Sequence, residues 1–239
     1  MCFLYNFKKH FEKLLLFDII LIMIEVKNLY LKYIREYYAL FNINIKVQKG
    51  ECVAFVGDEH SGRTTLLRVI AGLEKFDSGE VFLHDREIRN IDFKDDIQLD
   101  YVPELPVFFE NKTVYENLKY VLTERGHDKV DIENKINKAL IDFKIEKYKD
   151  IKVKDLDLYE KYLLSFIRLS MRELDILLVD NIFEKLSEDE ASAFVGLIKD
   201  VFVSKNITAI IVCDKYETVS EICTRQIKFV SGSVEEENK

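Results

Sequence analysis

The sequence predicts an α/β fold in which a mainly parallel sheet is wrapped by helices. Strand and helix patterns alternate over most of the 239 residues, which is typical of parallel sheets covered by helices. Residues 52–56 and 176–179 are continuously apolar runs bounded by turn signals, as in buried central strands. The chain has only 8 Gly and 2 Pro, no Pro- or Gly-rich linker, and five of its glycines within residues 50–79. We therefore expect one large domain, with backbone-demanding chemistry in that glycine cluster.

The elements follow from periodicity. Residues 24–29 and 40–47 alternate apolar and polar side chains and are predicted to form half-buried antiparallel strands, an antiparallel β edge. Residues 52–56 form a central strand, and a helix runs from Thr64 to a glycine stop at Gly72. Further strands are predicted at 81–83, 98–102, 175–180, 207–212 and 226–230. Further helices are predicted at 113–124, 132–143, 159–171, 187–203 and 217–223, of which the fourth opens with a capping box at Ser187 and Glu190. Because only helical patterns fill residues 105–172, we expect an inserted helical subdomain there.

Charge and cysteine usage exclude some classes of function. The net charge is −8, with 35 basic and 43 acidic residues, which disfavours binding of nucleic acid through its phosphates. Cys2, Cys52, Cys213 and Cys223 have no metal-binding or redox spacing. They are predicted to be buried free thiols of a protein in a reducing compartment.

Residues 1–22 are predicted to be an N-terminal extension, with the domain at 23–239. The apolar stretch at 14–24 is broken by Asp18 and is shorter than the roughly 20 residues needed to cross a bilayer. A small-residue cleavage site for a secretory signal is missing. The extension is either an amphipathic helix that packs on the domain or on a membrane surface, or an upstream stretch included by the choice of start site. We favour the second, since Met23 begins a self-contained strand.

A glycine-containing loop, Gly57-Asp-Glu-His-Ser-Gly62-Arg63-Thr64, lies between the central strand and its helix. It has the spacing of the phosphate loop G-x-x-x-x-G-K-[ST], with Arg in place of Lys. Glycines allow backbone N–H groups to face phosphate oxygens, and the helix N-terminus adds partial positive charge. The candidate nucleotide-binding residues of this loop are Gly57, Asp58, Glu59, His60, Ser61, Gly62, Arg63, Thr64 and Thr65, with His60 expected to be a spectator.

Distant segments resemble the ATP-binding-cassette (ABC) ATPases. Residues 64–81 are similar to the segment after that family's phosphate loop, and Tyr101-Val-Pro-Glu104 with the helix at 113–118 resembles its Q-loop region. Residues 175–180 resemble its Walker B strand, and residues 24–29 with Tyr33 resemble its opening strand and adenine-stacking aromatic. The resemblance covers residues 23 to about 233. It implies a P-loop NTPase fold of ABC type, ATP and Mg²⁺ as cofactors, Tyr33 against the adenine, and Thr64, Glu104 and Asp180 at the metal.

This chain differs from the family at positions that, in the family, bind the nucleotide or take part in its hydrolysis. The phosphate-loop Lys is Arg63, which keeps the charge but presents a planar fork. The Q-loop Gln is Glu104, a possible Mg²⁺ ligand that adds negative charge near the phosphates. The general-base Glu is Asn181, whose amide cannot accept a proton at neutral pH. The H-loop His is Cys213, and a neutral thiol is a weak donor.

The family's signature, L-S-G-G-Q, corresponds here to Leu156-Asp157-Leu158-Tyr159-Glu160, and its D-loop Asp corresponds to Ser187. In the family, the signature grips the γ-phosphate bound by the partner subunit. Asp157 would place a carboxylate there, and like charges about 4 Å apart at an effective dielectric constant near 20 repel by about 4 kcal/mol. The alternative is that Asp157 simply caps the following helix.

The resemblance implies an ATP-binding subunit of an ABC transporter, without catalytic residues for ordinary hydrolysis. It would form a head-to-tail homo- or heterodimer with a second ABC subunit and dock on a transmembrane subunit through residues 104–113. Such a subunit is cytoplasmic and peripheral to the inner face of the cell membrane. The alternative is a non-catalytic pseudo-ATPase scaffold or regulator. A soluble ABC protein of DNA repair or translation ranks below both, because those carry coiled coils or tandem cassettes and this chain is acidic.

Overall fold

The computed structural model describes residues 21–34, 37–93, 96–124, 128–202 and 205–238. Residues 1–20 of the predicted extension 1–22 lie outside this described part, and Cys2 is one of them. Two sheets and a group of helices make up the described part. None of its helices is both long and apolar enough to cross a bilayer.

One sheet has four antiparallel strands in the order β2-β1-β4-β5. They are β1 (Ile22–Ile34), β2 (Tyr37–Gln48), β4 (Ser78–Leu83) and β5 (Arg86–Glu87). The two strands predicted at 24–29 and 40–47 are confirmed as an antiparallel pair, β1 with β2. They extend well beyond the alternating segments, because their polar ends continue the pairing, for example Lys32 opposite Tyr38.

The second sheet has six strands in the order β10-β9-β3-β8-β7-β6. They are β3 (Cys52–Gly57), β6 (Leu99–Val102), β7 (Ile176–Asp180), β8 (Thr208–Cys213), β9 (Arg225–Val230) and β10 (Ser233–Asn238). Every pairing among them is parallel except that of β10 with β9. The predicted mainly parallel sheet and its central strand β3 are therefore confirmed.

In the part of the chain that the structure describes, five α-helices pack around the sheets. They are α1 (Arg63–Ile70), α2 (Val114–Glu124), α3 (Lys129–Asp142), α4 (Leu158–Ser170) and α5 (Glu188–Val201). Alternation along β3 explains the layers, because its side chains point to opposite faces of the sheet. Val53 and Phe55 join the core shared with α1 and the antiparallel sheet, whereas Ala54 joins the core shared with α4 and α5. A third core lies among α2, α3 and α4, within the predicted helical subdomain.

Two sequence predictions differ from the structure. The helix predicted at 217–223 is wrong, because that segment has only a 3₁₀ turn, Tyr216–Thr218, before buried turn residues. Strand β9 is not the final strand, since the polar segment Ser233–Asn238 pairs with it as β10. The predicted antiparallel strands are present, and the structure adds that they form a sheet of their own.

Candidate functional site

An open cleft of about 570 Å³ lies where strands β3, β7 and β8 end. These strands are neighbours, with Val56 opposite Cys213 and Asp180 opposite Val212, so their carboxyl ends meet at one edge of the sheet. Ligands of open α/β sheets bind outside this edge. Of the predicted nucleotide residues, Tyr33 and residues 59–65 line the cleft. Gly57 and Asp58 belong to the loop but do not line the cleft.

Two glycines allow the loop after β3 to take its shape. Gly62 has φ 103°, and a Cβ there would lie 2.7 Å from the Ala39 carbonyl oxygen. At Gly57 a Cβ would lie 2.4 Å from the Phe229 carbonyl oxygen. His60 also has a positive φ, of 64°, but its imidazole is largely exposed and its nearest acid is Glu59, at 3.8 Å. The predicted spectator role of His60 stays a prediction.

Helix α1 begins at the cleft without a side-chain cap. Its N-cap residue is Gly62, no side chain accepts from its first N–H groups, and its first turn has no acidic residue. The first N–H groups of a helix lack acceptors within the helix and carry partial positive charge. The lining residues Arg63, Thr64 and Thr65 belong to this first turn. The arrangement fits an anionic group such as a phosphate.

Arg63 has its guanidinium committed to the protein. Nε donates to Ser61 Oγ (3.1 Å), and Nη1 donates to the Cys213 carbonyl oxygen (2.5 Å). Nη2 donates to the Asp58 carbonyl oxygen and to Asp214 Oδ1, each at 3.0 Å. The side chain is 6% exposed, and four of the five guanidinium N–H groups have protein acceptors. Arg63 therefore ties the loop to the end of β8 rather than reaching into the cleft.

Asp180 is buried next to Thr64 and does not itself line the cleft. Thr64 Oγ1 donates to Asp180 Oδ1 (2.8 Å), and the Tyr101 hydroxyl donates to Oδ2 (2.6 Å). Burial raises the pKa of Asp180 above its usual range, and the two hydroxyl donors oppose that shift only in part. Burial and the bond to Asp180 also raise the pKa of Tyr101.

The donor chemistry of Thr64, Asp180 and Glu104 fits Mg²⁺, which prefers oxygen ligands. Thr64 and Glu104 line the cleft, and the charge of Glu104 contributes to raising the pKa of Asp180. Asn181 also lines the cleft, and its side-chain oxygen is a hydrogen-bond acceptor. Its Oδ1 is buried and has no hydrogen-bond partner among the described residues.

Glu104 has a partner that the sequence did not indicate. Lys185 Nζ lies 3.0 Å from Glu104 Oε1, the two side chains are 43% and 44% exposed, respectively, and both line the cleft. This ion pair raises the pKa of Lys185. The backbone of Glu104 is fixed separately, since the buried Tyr162 donates its hydroxyl to the Glu104 carbonyl oxygen.

Cys213 and Asp157, two of the replaced positions, lie away from any ligand in the cleft. The Cys213 thiol is fully buried, and burial raises its pKa to about 12. Only its carbonyl serves the site, as an acceptor for Arg63. Asp157 is the N-cap of α4, where it accepts from the Glu160 N–H (2.8 Å) in a capping box. The capping alternative for Asp157 is therefore confirmed.

Two tyrosines flank the other side of the cleft. Tyr33 is 56% exposed, and its hydroxyl lies 3.4 Å from Thr65 Oγ1. Tyr37, across the β1–β2 pair, lines the same cleft. An exposed aromatic face beside a phosphate-sized site suits stacking against a base.

Sequence reasoning missed Tyr37, Tyr101, Glu184, Lys185 and Asp214. The last three follow strands β7 and β8 closely in the chain. Since β8 is the parallel neighbour of β3 and β7 is the parallel neighbour of β8, polar residues just beyond their ends were the available signal. Tyr101 lies within β6, opposite Leu178, and gave no such signal.

Comparison with known proteins gives a consistent result. The family model described as "ABC transporter" matches residues 40–184. The methionine import ATP-binding protein MetN of Clostridioides difficile is 28% identical over 218 residues, which are 89% of this chain and 67% of the relative. The sn-glycerol-3-phosphate import ATP-binding protein UgpC of Roseobacter denitrificans is 28% identical over 86% of this chain and 59% of the relative. The chain thus spans about 60 to 67% of these two relatives. A bacterial ABC transporter cassette solved as a dimer superposes with a TM-score of 0.81 at 23% identity, covering 91% of this chain and 98% of that one.

Proposed function

This chain belongs to the ABC transporter family, and we propose that it is the ATP-binding subunit of an ABC importer, with impaired or absent ATP hydrolysis. One observation carries the binding proposal: the uncapped N-terminus of α1 faces a cleft beside the Thr64–Asp180 pair. Import as the direction of transport is drawn from the names of the relatives MetN and UgpC.

The phosphates, the adenine and the Mg²⁺ of the bound nucleotide would each contact different residues of the site. The N–H groups at the start of α1 would bind the phosphates, and Tyr33 would stack on the adenine. Thr64, Asp180 and Glu104 would hold Mg²⁺. When bound, that ion neutralises phosphate charge and orients the phosphates.

Three replacements support weak hydrolysis. Asn181 lines the cleft next to Asp180, but its amide cannot take a proton from an attacking water. Cys213 is fully buried and has no donor to offer to a phosphate. Asp157 places a carboxylate at the position of the signature serine, where like-charge repulsion opposes contact with the partner's nucleotide. The cleft can bind and orient a nucleotide, but these three replaced positions provide no general base to activate the attacking water.

An apolar surface supports docking on a membrane subunit. Leu105, Val107, Phe109 and Tyr120 are each more than half exposed, and the rings of Phe109 and Tyr120 are in edge contact at 5.1 Å. Exposed apolar clusters of this kind mark sites of protein contact. Leu105, Val107 and Phe109 follow Glu104 directly, within the predicted docking surface 104–113, and Tyr120 lies on the next helix, α2. We propose that a cytoplasmic segment of a transmembrane subunit covers this apolar surface, which keeps this chain peripheral to the membrane, and that a second ABC subunit completes the dimer.

Binding is tested by calorimetry of Mg-ATP on the purified chain. Tyr33→Ala should weaken binding by about tenfold, since base stacking contributes roughly 1–3 kcal/mol. Tyr120→Ala, a similarly exposed tyrosine in the helical subdomain, is the matched control and should bind as the wild type does. Absence of wild-type binding would refute the ATP-binding proposal.

Hydrolysis and docking need separate assays. Phosphate release from Mg-ATP should stay at the level of a no-protein control and should not change in Asp180→Asn. Turnover that this variant abolishes would contradict the impaired-hydrolysis proposal. Purification from native membranes should recover a transmembrane subunit, and Val107→Asp should lose it.

A non-catalytic scaffold is the second candidate function. It is favoured by the commitment of Arg63 to four protein acceptors, which completes the loop without a nucleotide. A scaffold would co-purify with the same membrane subunit yet bind no ATP, so the calorimetric titration separates the two candidates.

A further inference from the structure

The cleft contains a second cation besides Arg63. Among the described residues that line it, Arg63 and Lys185 carry the permanent positive charges, against four acids: Glu59, Glu104, Glu184 and Asp214. A polyphosphate entering this cleft meets an excess of negative charge, so a cation able to reach it matters for affinity.

Arg63 is poorly suited to that task. Its guanidinium is 6% exposed and is paired with Asp214 at 3.0 Å. Moving it toward a ligand would remove the donor from buried acceptors, including the carbonyl oxygen of Cys213. Leaving buried polar groups unpaired is costly.

Lys185 has the opposite properties. It ends a short 3₁₀ turn, Phe183–Lys185, that follows β7. Its side chain is 43% exposed and its Nζ is 3.0 Å from Glu104 Oε1. An ammonium on a flexible four-carbon stem can exchange one partner for another with little rearrangement.

We propose that Lys185 is a phosphate-binding residue of this site and that Glu104 holds it in place until a nucleotide arrives. The exchange conserves charge pairing. Lys185 moves from the Glu104 carboxylate to a phosphate oxygen, and the released carboxylate faces the accompanying Mg²⁺. The metal–nucleotide complex thus binds between the two side chains, with Lys185 at a phosphate and Glu104 facing the Mg²⁺. This inference rests on the proposed nucleotide binding.

The exchange predicts a dependence on metal that a purely structural ion pair would not show. Without Mg²⁺, a nucleotide that takes Lys185 leaves Glu104 uncompensated beside the phosphates. The wild type should therefore prefer Mg-ATP to metal-free ATP, and Glu104→Gln should reduce that preference by binding metal-free ATP more tightly.

The experiment is calorimetric titration of ATP, in Mg²⁺ and in EDTA, into the wild type, Glu104→Gln, Lys185→Gln and the double variant. Removing a charge-assisted bond to phosphate should weaken Mg-ATP binding by about tenfold in Lys185→Gln. The decisive comparison is between Glu104→Gln and the double variant, because neither contains an unpaired Glu104. The double variant should bind about tenfold more weakly. Equal affinity would overturn the inference, since Lys185 would then only neutralise Glu104.

Lys228→Gln is the matched control, because Lys228 also forms a half-exposed ion pair, with Glu235 at 3.1 Å. It should bind ATP as the wild type does, and an equal loss there would overturn the assignment to Lys185. Thermal melts of every variant verify folding. A wild type that binds no ATP in either buffer would refute the proposed function and this inference together. Wild-type binding with no effect of Lys185→Gln would refute the inference alone.

Discussion

Replacing Arg63 with lysine, the usual residue of a phosphate loop, should destabilise this protein. Lysine carries three N–H donors on one atom and cannot reproduce a planar fork that reaches four acceptors. If it keeps Asp214 and one carbonyl, two acceptors lose their donor, and Ser61 and Cys213 are both buried. Each buried group left unpaired costs roughly 1–3 kcal/mol, so we expect a loss of about 2–6 kcal/mol for the two.

The assay is thermal unfolding of the nucleotide-free protein followed by circular dichroism. For a chain of 150–250 residues, each kcal/mol shifts Tm by roughly 2–4 °C. Arg63→Lys should therefore melt roughly 4–24 °C below the wild type. The control is Arg89→Lys, an exposed arginine 3.4 Å from Glu87, where a surface pair contributes at most about 1 kcal/mol. If Arg63→Lys melts within a degree of the wild type, the guanidinium does not tie the loop to β8.

Three further predictions concern stability. Gly62→Ala should cost about 1–3 kcal/mol in strain, because its φ is 103° and its Cβ would lie 2.7 Å from the Ala39 oxygen; Gly196→Ala, in open space within α5, should instead stabilise in the same denaturant titration. Asp180→Asn should raise Tm at pH 7 by roughly 2–4 °C, because burial makes the charged carboxylate unfavourable. Since the pKa of Asp180 is raised in the folded state, its stability penalty is present at neutral pH and disappears as pH falls through that pKa toward 4. The Tm difference should shrink accordingly, and a constant difference would contradict this reasoning. Asp157→Ala should cost about 1 kcal/mol through loss of the cap, without changing ATP affinity measured by calorimetry.

Periodicity was sufficient to predict the core elements but not the polar ones. Residues 52–56 and 176–179 are apolar because both faces of their strands are covered, and this leaves a strong signal in the sequence. Strand β10 contains Val234 followed by three glutamates and an asparagine. It lies at the edge of the sheet, where pairing of the backbone with β9 requires no apolar side chains.

The prediction of a helix at 217–223 is wrong because an apolar pattern is present there without the helix. Its apolar residues, Val219, Ile222 and Cys223, have helical spacing, and all three are buried in the core with α5. They reach that core from turns after the 3₁₀ segment, because the chain must enter β9 directly at Arg225. Helical spacing of apolar residues therefore indicated burial correctly and the local conformation incorrectly.

The contiguous part of the site was predictable, and its partners were not, because they depend on pairing between distant strands. The loop after β3 gave its own signal, but Asp214 meets Arg63 only because β8 lies next to β3. Lys185 similarly meets Glu104 only because β7 lies next to β6.

These two ion pairs change the meaning of the replacements at positions 63 and 104. Considered singly, an arginine in the phosphate loop and a glutamate near the phosphates suggest a damaged site. In the fold, each has an opposite charge within 3.0 Å, so neither is an uncompensated charge in the cleft. Both positions are thus neutralised within the fold: Arg63 keeps its protein partners, whereas in the proposed exchange a nucleotide must replace Glu104 as the partner of Lys185. Because replacing a partner costs the energy of the old contact, such a site should bind nucleotide more weakly than one with free donors, even where the loop and the helix N-terminus are intact.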